Sequence, residues 1–232
     1  MKAVILVGGL GTRLLPLTES VPKPMLYFNG KPILQHQIER LRAYGITNII
    51  ICTYHLSKII EDYFKNGRAF GVSITYSREE FPLGTSGALL NAKDVIGSNS
   101  FILLYGDLLI EIDFSKFIGF HIEKNGIGTL VLHQSSHPYD SDILEVDKSQ
   151  KIVKFLGKPK KGQKFTNLAN AGVYCFKPTI FKYLPQGKSM LDKEIIPKII
   201  SSGESLYAYL TDEKVMDLGT RDRYQSAKSN GE

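Results

Sequence analysis

The chain has 232 residues, 43% of them hydrophobic and 22% charged, with a formal net charge of +6. That length and balance fit one large domain with an ordinary globular core. No apolar run approaches the ~20 residues that span a bilayer, and no aromatic-interleaved basic surface of the nucleic-acid-binding kind is visible, so membrane and nucleic-acid partners are excluded and small anions remain for the basic balance.

The first strand is expected over residues 3–7, an apolar run. Beginning at Lys2, it reads as a core strand and not as the basic head of a cleavable signal. It feeds Gly8-Gly9-Leu10-Gly11-Thr12-Arg13-Leu14, followed by Pro22-Lys23-Pro24. Gly8, Gly9 and Gly11 let the backbone approach an anion, because no Cβ intervenes and positive φ is open to them. Arg13 offers a planar fork to phosphate oxygens, and Lys23 offers a point charge aimed by two prolines. Two familiar phosphate loops are excluded. Leu14 stands where a dinucleotide fingerprint needs its last glycine, and no Walker loop occurs.

Further along, helices are expected over 31–44, 57–65 and 86–94, with strands over 48–53, 72–76 and 101–105. Pro32 suits a first helical turn, and Gly45 suits a stop. This alternation predicts an α/β fold with a mostly parallel sheet and helices on both faces. Ligands are then expected beyond the strand ends, where the glycine loop and Asp107 fall. Asp107 follows Gly106 after the apolar strand, and on spacing alone it reads as a turn or cap residue. Asp113 reads as the cap of a helix over 114–124. Short strands follow over 129–133, 144–146, 152–156 and 171–176, which either extend the sheet or fold over it as a lid. A helix over 191–200 and a strand over 206–209 complete the pattern, and the polar end, 226–232, reads as a frayed tail. Cys52 and Cys175 sit in apolar runs and read as buried free thiols of a reducing, cytoplasmic compartment. Lys158, Lys160, Lys161 and Lys164 form the densest basic patch, which charge alone leaves open between a solvated loop and a phosphate site.

The strings Leu6–Leu14 and Pro22-Lys23-Pro24, then Pro82-Leu83-Gly84-Thr85-Ser86-Gly87-Ala88, Tyr105-Gly106-Asp107, Asn170-Ala171-Gly172-Val173-Tyr174 and Met216-Asp217-Leu218-Gly219-Thr220, resemble the motifs of the sugar-1-phosphate nucleotidylyltransferases, in that family's order. The resemblance covers nearly the whole chain. It implies a Rossmann-like, GT-A-like three-layer fold with a mostly parallel mixed sheet and a small β-rich sugar-binding part. It implies one nucleotidyltransferase domain over 1–232, with a nucleotide-binding half at 1–110 and a sugar-phosphate-binding half at 111–225. The added domains of the family's longer members are not expected. The sequence leaves the oligomeric state open, a homodimer being common among similar enzymes.

The implied reaction joins an NTP to a sugar 1-phosphate, giving an NDP-sugar and pyrophosphate. Two anions must meet, so charge neutralisation and geometry carry the catalysis. The resemblance assigns Mg²⁺ to Asp107 and Asp217, with Glu111 and Asp113 as weaker alternatives. It assigns Arg13 to the β- and γ-phosphates and Lys23 to the α-phosphate and the attacking phosphate. The nucleotide is expected against Leu6, Gly8, Gly9, Gly11 and Thr12, and against Glu79, Glu80, Gly84, Thr85 and Gly87. Glu79 and Glu80 suit guanine, whose N1–H and N2–H₂ are donors, which favours GTP. Gly106, Lys158, Asn170 and Gly172 are expected to approach the sugar phosphate. Gly157-Lys158-Pro159 lacks the glutamate of the family's Glu-Lys-Pro; residues 140–142 stay open between a polar turn and a sugar-facing segment in which Asp142 or Ser141 partly replaces it. Residues 137–142 and 167–174 most resemble the bacterial D-glycero-D-manno-heptose 1-phosphate guanylyltransferases, and surface polysaccharide is the implied destination. Mannose-1-phosphate guanylyl transfer, and uridylyl or thymidylyl transfer to glucose or N-acetylhexosamine 1-phosphate, remain as alternatives. An inactive nucleotide-sugar-binding regulatory module is the alternative of a different class.

Overall fold

The computed structural model describes residues 1–231. In chain order the elements are β1 (Lys2–Leu6), β2 (Tyr27–Phe28), β3 (Lys31–Pro32), α1 (Ile33–Ala43), β4 (Asn48–Thr53), α2 (Ser57–Phe64), β5 (Ser73–Arg78), α3 (Gly84–Asn91), α4 (Lys93–Ile96), β6 (Phe101–Tyr105) and β7 (Leu108–Ile110). They continue with α5 (Phe114–Lys124), β8 (Gly128–Gln134), β9 (Ile143–Val146), β10 (Ile152–Gly157), β11 (Leu168–Phe176), α6 (Ile196–Ser201), β12 (Leu206–Leu210), β13 (Val215–Asp217) and α7 (Arg221–Gly231).

A nine-stranded sheet runs β10-β9-β11-β6-β1-β4-β5, with β8 beside β11 and β12 beside β8. The strands β6, β1, β4 and β5 are parallel, as the alternation predicts, and β11 joins β6 antiparallel. Because successive side chains point to opposite faces, β1 feeds two cores. Ala3, Ile5 and Val7 pack with Leu34 and Ile38 of α1, Phe64 of α2 and Phe117 of α5. Val4 packs on the other face with Leu89 of α3 and Ile199 of α6. The sheet is therefore the middle of three layers. The short strands after Asp107 extend it and do not form a lid. Among the described residues no helix is long and apolar enough to cross a membrane, and Cys52 and Cys175 are buried free thiols.

Three local readings are corrected. Lys31 and Pro32 do not open the first helix; they pair with Tyr27 and Phe28 as a small ribbon, and α1 begins at Ile33. The segment expected as one helix over 191–200 starts as a π-helical turn, Leu191–Ile195, before α6. Pro197 explains this, since it lacks an N–H and its ring crowds the carbonyl four residues back. The expected frayed tail is helical as far as Gly231, where the described residues end and Glu232 lies outside them. Tyr224 and Ala227, three apart on one face of α7, are buried against Leu14, Leu26, Phe28 and Ile33. The Tyr224 hydroxyl also donates to the Tyr27 carbonyl at 2.7 Å.

Candidate active site

The parallel strands bring two turns together. Leu6 of β1 is in register with Tyr105 of β6, so the glycine loop and Gly106-Asp107 leave the sheet side by side. The Gly106 N–H donates to the Leu6 carbonyl at 3.0 Å, and a Cβ on Gly106 would lie 2.5 Å from Val7 Cγ1. Only glycine allows that approach. Of the three loop glycines, Gly11 alone has positive φ, at 67°. Gly8 and Gly9 do not use that freedom. A Cβ on Gly9 would meet nothing within 4 Å, so the loop there is bare backbone.

Beyond these turns lies a cleft of about 390 Å³, lined by Leu6, Gly8, Gly9, Gly11, Thr12 and Arg13, with Lys23, Glu79, Gly84, Thr85, Gly106 and Asp107 also on its walls. That volume suits a nucleotide-sized ligand. Lys188, Met190, Tyr105 and Gly219, none of them marked as a ligand residue by the sequence, line it too. Lys188 lies far along the chain in a loop without a pattern, so no local signal marks it.

Asp217 reaches the site through a ribbon that the sequence did not disclose. β13 pairs with β7, placing Asp217 opposite Leu108, and the Leu218 N–H donates to the Asp107 carbonyl at 3.0 Å. Gly219 then leaves a small hollow. A Cβ there would lie 2.4 Å from Asp217 Oδ1, 2.8 Å from Lys23 Nζ and 3.3 Å from Asp107 Oδ2. Asp107, Asp217 and Lys23 therefore all face the hollow at Gly219, with Lys23 ion-paired to Asp107. Among the described residues no group of three His, Cys, Asp or Glu gathers as an all-protein metal cage. Two carboxylates beside an open phosphate-sized cleft fit Mg²⁺, which keeps waters and substrate oxygens in its shell. Glu111 and Asp113 lie elsewhere. Asp113 Oδ1 caps α5 by accepting from the N–H groups of Ser115 and Lys116.

Gln37 supports this corner. It projects from the apolar face of α1 and is 1% exposed. Its Nε2 donates to the carbonyls of Tyr105 and Leu108, at 2.8 and 2.9 Å, on either side of Asp107. One polar residue among Ile33, Leu34, Ile38 and Leu41 was the available signal.

The two glutamates expected at the base separate. Glu79 Oε1 lies 2.5 Å from where a Cβ on Gly8 would be, and Glu79 Oε2 accepts the Leu83 N–H at 2.9 Å. Burial pushes its carboxyl above the ordinary value, with the Leu83 N–H pulling the other way. Glu80 turns to a second depression, with Arg78 and Asn91, and Gly87 lies there as well. Neither lines the cleft. Gly87 is glycine because the Gly187 carbonyl would be 2.4 Å from its Cβ.

Of the residues expected at the sugar phosphate, Gly106 lines the cleft, and the others form two groups outside its wall. In the first, Lys158 Nζ donates to Asp140 Oδ1 at 2.5 Å, and Arg223 Nη2 donates to Asp140 Oδ2 at 2.8 Å. Arg223 Nη1 reaches Asp217 Oδ2 at 2.5 Å. The hydrogen bond from Lys158, then the charges of Lys158, Arg223 and Arg13, hold the Asp140 carboxyl below its ordinary range despite some desolvation. In the second, Asp192 of the π turn accepts from the Tyr105 hydroxyl, from the Tyr174 hydroxyl at 2.6 Å and from Asn170 Nδ2 at 2.8 Å. Burial still raises its pKa. Asn170 also donates to the Tyr174 hydroxyl, and its Oδ1 accepts the Gly172 N–H. Its amide is thus committed within the protein instead of facing outward. Gly172, at φ 73°, packs under the Tyr105 ring. Asp142 is half-buried, which raises its carboxyl, with Lys193 and Lys158 opposing. Its carbonyl accepts the Asn170 N–H at 2.9 Å.

The family model described as Nucleotidyl transferase matches residues 2–232. The chain is 33% identical to a UTP–glucose-1-phosphate uridylyltransferase of Synechocystis sp., over 98% of this chain and 62% of that protein. It is 34% identical to the mannose-1-phosphate guanylyltransferase of Mycobacterium tuberculosis, over 95% of this chain and 61% of that protein. The chain therefore spans about three fifths of the length of these curated relatives. Among solved structures, HddC from Yersinia pseudotuberculosis matches with a TM-score of 0.85 at 27% identity, covering 100% of this chain and 99% of that one. A second structure of HddC is complexed with GMP-PN.

Proposed function

The chain belongs to the nucleotidyl transferase family, and from that premise we propose that it transfers a nucleotidyl group from an NTP to a sugar 1-phosphate, releasing pyrophosphate. The observation that carries the reading is the convergence of Asp107, Asp217 and Lys23 on the hollow at Gly219, at the mouth of the Arg13 loop. A non-bridging oxygen of the sugar phosphate attacks the α-phosphorus, the bond from that phosphorus to the α,β-bridging oxygen breaks, and pyrophosphate leaves in line. The glycine loop and Arg13 hold the β- and γ-phosphates. Lys23 holds the α-phosphate as charge builds. Asp107 and Asp217 would hold Mg²⁺, which would neutralise phosphate charge and fix the α-phosphate in place.

The finer reading is GTP with D-glycero-α-D-manno-heptose 1-phosphate. Glu79 beside Gly8 supports guanine, and the structural match to HddC, which has been solved with GMP-PN, supports a guanosine nucleotide. Asp142, half-buried beside Lys158, supports a carboxylate that reads sugar hydroxyls. Pyrophosphate release with Mg²⁺ tests both levels, crossing the four ribonucleotides and dTTP against heptose, mannose, glucose and N-acetylglucosamine 1-phosphates. Turnover confined to GTP and the heptose supports the finer reading. Turnover with another pair keeps the reaction and removes that specificity. No turnover with any pair overturns the transferase reading.

A further inference from the structure

Tyr105 ends β6 two residues before Asp107 and lines the cleft. On one side it pairs with Leu6 of β1. On the other side the ladder stops one residue short. β11 pairs with β6 only as far as Val173 with Leu104, where Gly172 turns at φ 73° and the register of β11 shifts. Side chains take the place of the missing partner. Gln37, from the layer of α1, holds the Tyr105 carbonyl, and Asp192, from the layer of α6, holds the Tyr105 hydroxyl. Asp192 belongs to the π turn, a distortion frequent at functional sites.

We propose that Asp192 is a positioning residue for the transfer: through the Tyr105 hydroxyl it fixes the turn that aims Asp107 at the hollow. This rests on the transferase reading for the reaction it serves. Asp192 meets only donors. Its Oδ2 accepts from the Tyr105 hydroxyl, and its Oδ1 accepts from the Tyr174 hydroxyl at 2.6 Å and from Asn170 Nδ2 at 2.8 Å. Three donors on two oxygens suit a carboxylate, which only accepts, and hydrogen bonds to a charged group are the strong ones. The turn that carries Asp192 is itself pinned. The Leu191 N–H donates to Thr85 Oγ1 at 2.7 Å, and the buried Ser86 hydroxyl donates to the Ser189 hydroxyl at 2.6 Å. Thr85 lines the cleft as Tyr105 does. The π turn thus ties the wall that carries Thr85 to the wall that carries Tyr105 and Asp107.

The test is a cycle of variants read by kinetics and by binding. Tyr105→Phe removes only the hydroxyl, and Asp192→Asn puts an N–H₂ group among the donors. Each should lower kcat about tenfold while both KM values hold. In the Tyr105→Phe background most of the Asp192→Asn loss should vanish, because the shared bond is already gone. Tyr174→Phe is the structural control. It takes a donor from the same carboxylate without adjoining Asp107, so it should lower the melting temperature and leave kcat unchanged. Calorimetry with GTP and with UTP, in Mg²⁺ and in EDTA, reads the cycle without turnover. The affinity gained from Mg²⁺ should shrink about tenfold in Tyr105→Phe and in Asp192→Asn, as for a lost support of a metal ligand, while affinity in EDTA holds. If no substrate pair turns over but that gain shrinks, the positioning role stands and the transferase reading falls. If the two kcat losses multiply, if Tyr174→Phe costs as much kcat as Tyr105→Phe, if affinity in EDTA falls as far as in Mg²⁺, or if neither kcat nor the gain moves, Asp192 only packs the end of the sheet and the proposal is wrong.

Discussion

The two ends of the site are built differently. At the nucleotide end, backbone does the placing: register between β1 and β6, bare glycine loop, and the β7–β13 ribbon that sets Asp217 against Asp107. Lys23 and Asp107 are only 12% and 21% exposed there. At the proposed sugar-phosphate end, side chains on loops and helix ends are placed by one another, and Lys158 and Asp140 are 53% and 50% exposed. The first end is preorganised and keeps its geometry when charge moves. The second holds its charged side chains in exposed internal ion pairs. Damage at the first end should therefore fall on kcat, and damage at the second on the KM for one substrate.

The sharpest way to break that comparison is Asp107→Asn. It should cost about 10³-fold in kcat, ~4 kcal/mol, with NTP affinity much less affected, as measured by pyrophosphate release beside nucleotide titration. Retained turnover would remove Asp107 from the chemistry. Gly219→Ala comes next, with an expected loss of about 10²-fold in kcat and an unchanged melting temperature. The added methyl would meet the ends of Asp217 and Lys23 at 2.4 and 2.8 Å, and flexible side chains yield without unfolding anything. A loss of stability with normal kcat would show that the hollow is packing and not a cradle.

The same contrast decides what the sequence disclosed. The parallel half was legible because its cues are local: apolar runs of strand length, glycines at close approaches, a lysine between prolines. Arg13 and Lys23 were singled out that way, whereas Asp107 read locally as a turn or cap residue and entered, with Asp217, only through the resemblance. Glu80 was misplaced because it faces away from its neighbour Glu79, which alone of the two lines the cleft, and Gly87 because its side of α3 packs on the Gly187 carbonyl. Arg223 and Asp192 were invisible, since each bonds to partners distant in sequence, and Lys188 lies on a cleft wall that other segments complete. Asp192 reaches Tyr105, 87 positions away, and Arg223 reaches Asp140, 83 positions away. No periodicity encodes such pairs. The tail was misread for a related reason. Its polar composition hid Tyr224 and Ala227, whose partners are near the other terminus.

Gln37→Ala sharpens the comparison from beneath. It removes the donor that bonds the Tyr105 and Leu108 carbonyls and leaves both buried acceptors short of a partner. Stability should fall by about 2 kcal/mol, and kcat by about tenfold as the Asp107 turn loosens. The KM for sugar 1-phosphate should hold. If that KM rises while kcat stays normal, the two ends are mechanically coupled and the contrast between them fails.

Glu79→Gln is the mildest change and tests whether the nucleotide end also reads the base. The amide keeps the size and can still accept the Leu83 N–H, but it loses the charge that would meet guanine's donors. Preference for GTP over ATP should fall by roughly tenfold, about one hydrogen bond to a charged group, with activity on the preferred sugar otherwise retained. A separate signature follows from burial. The Glu79 carboxyl titrates above its ordinary 4.5 in the folded chain. Between that value and the raised one, the folded state binds more protons than the unfolded state. Stability from this group is therefore complete at low pH and lost as pH rises through the folded value. Denaturation midpoints measured across that range should carry this downward slope in the native protein, and Glu79→Gln should flatten it. An unchanged slope together with unchanged base preference would mean that Glu79 faces solvent and that the base is read elsewhere on the cleft wall.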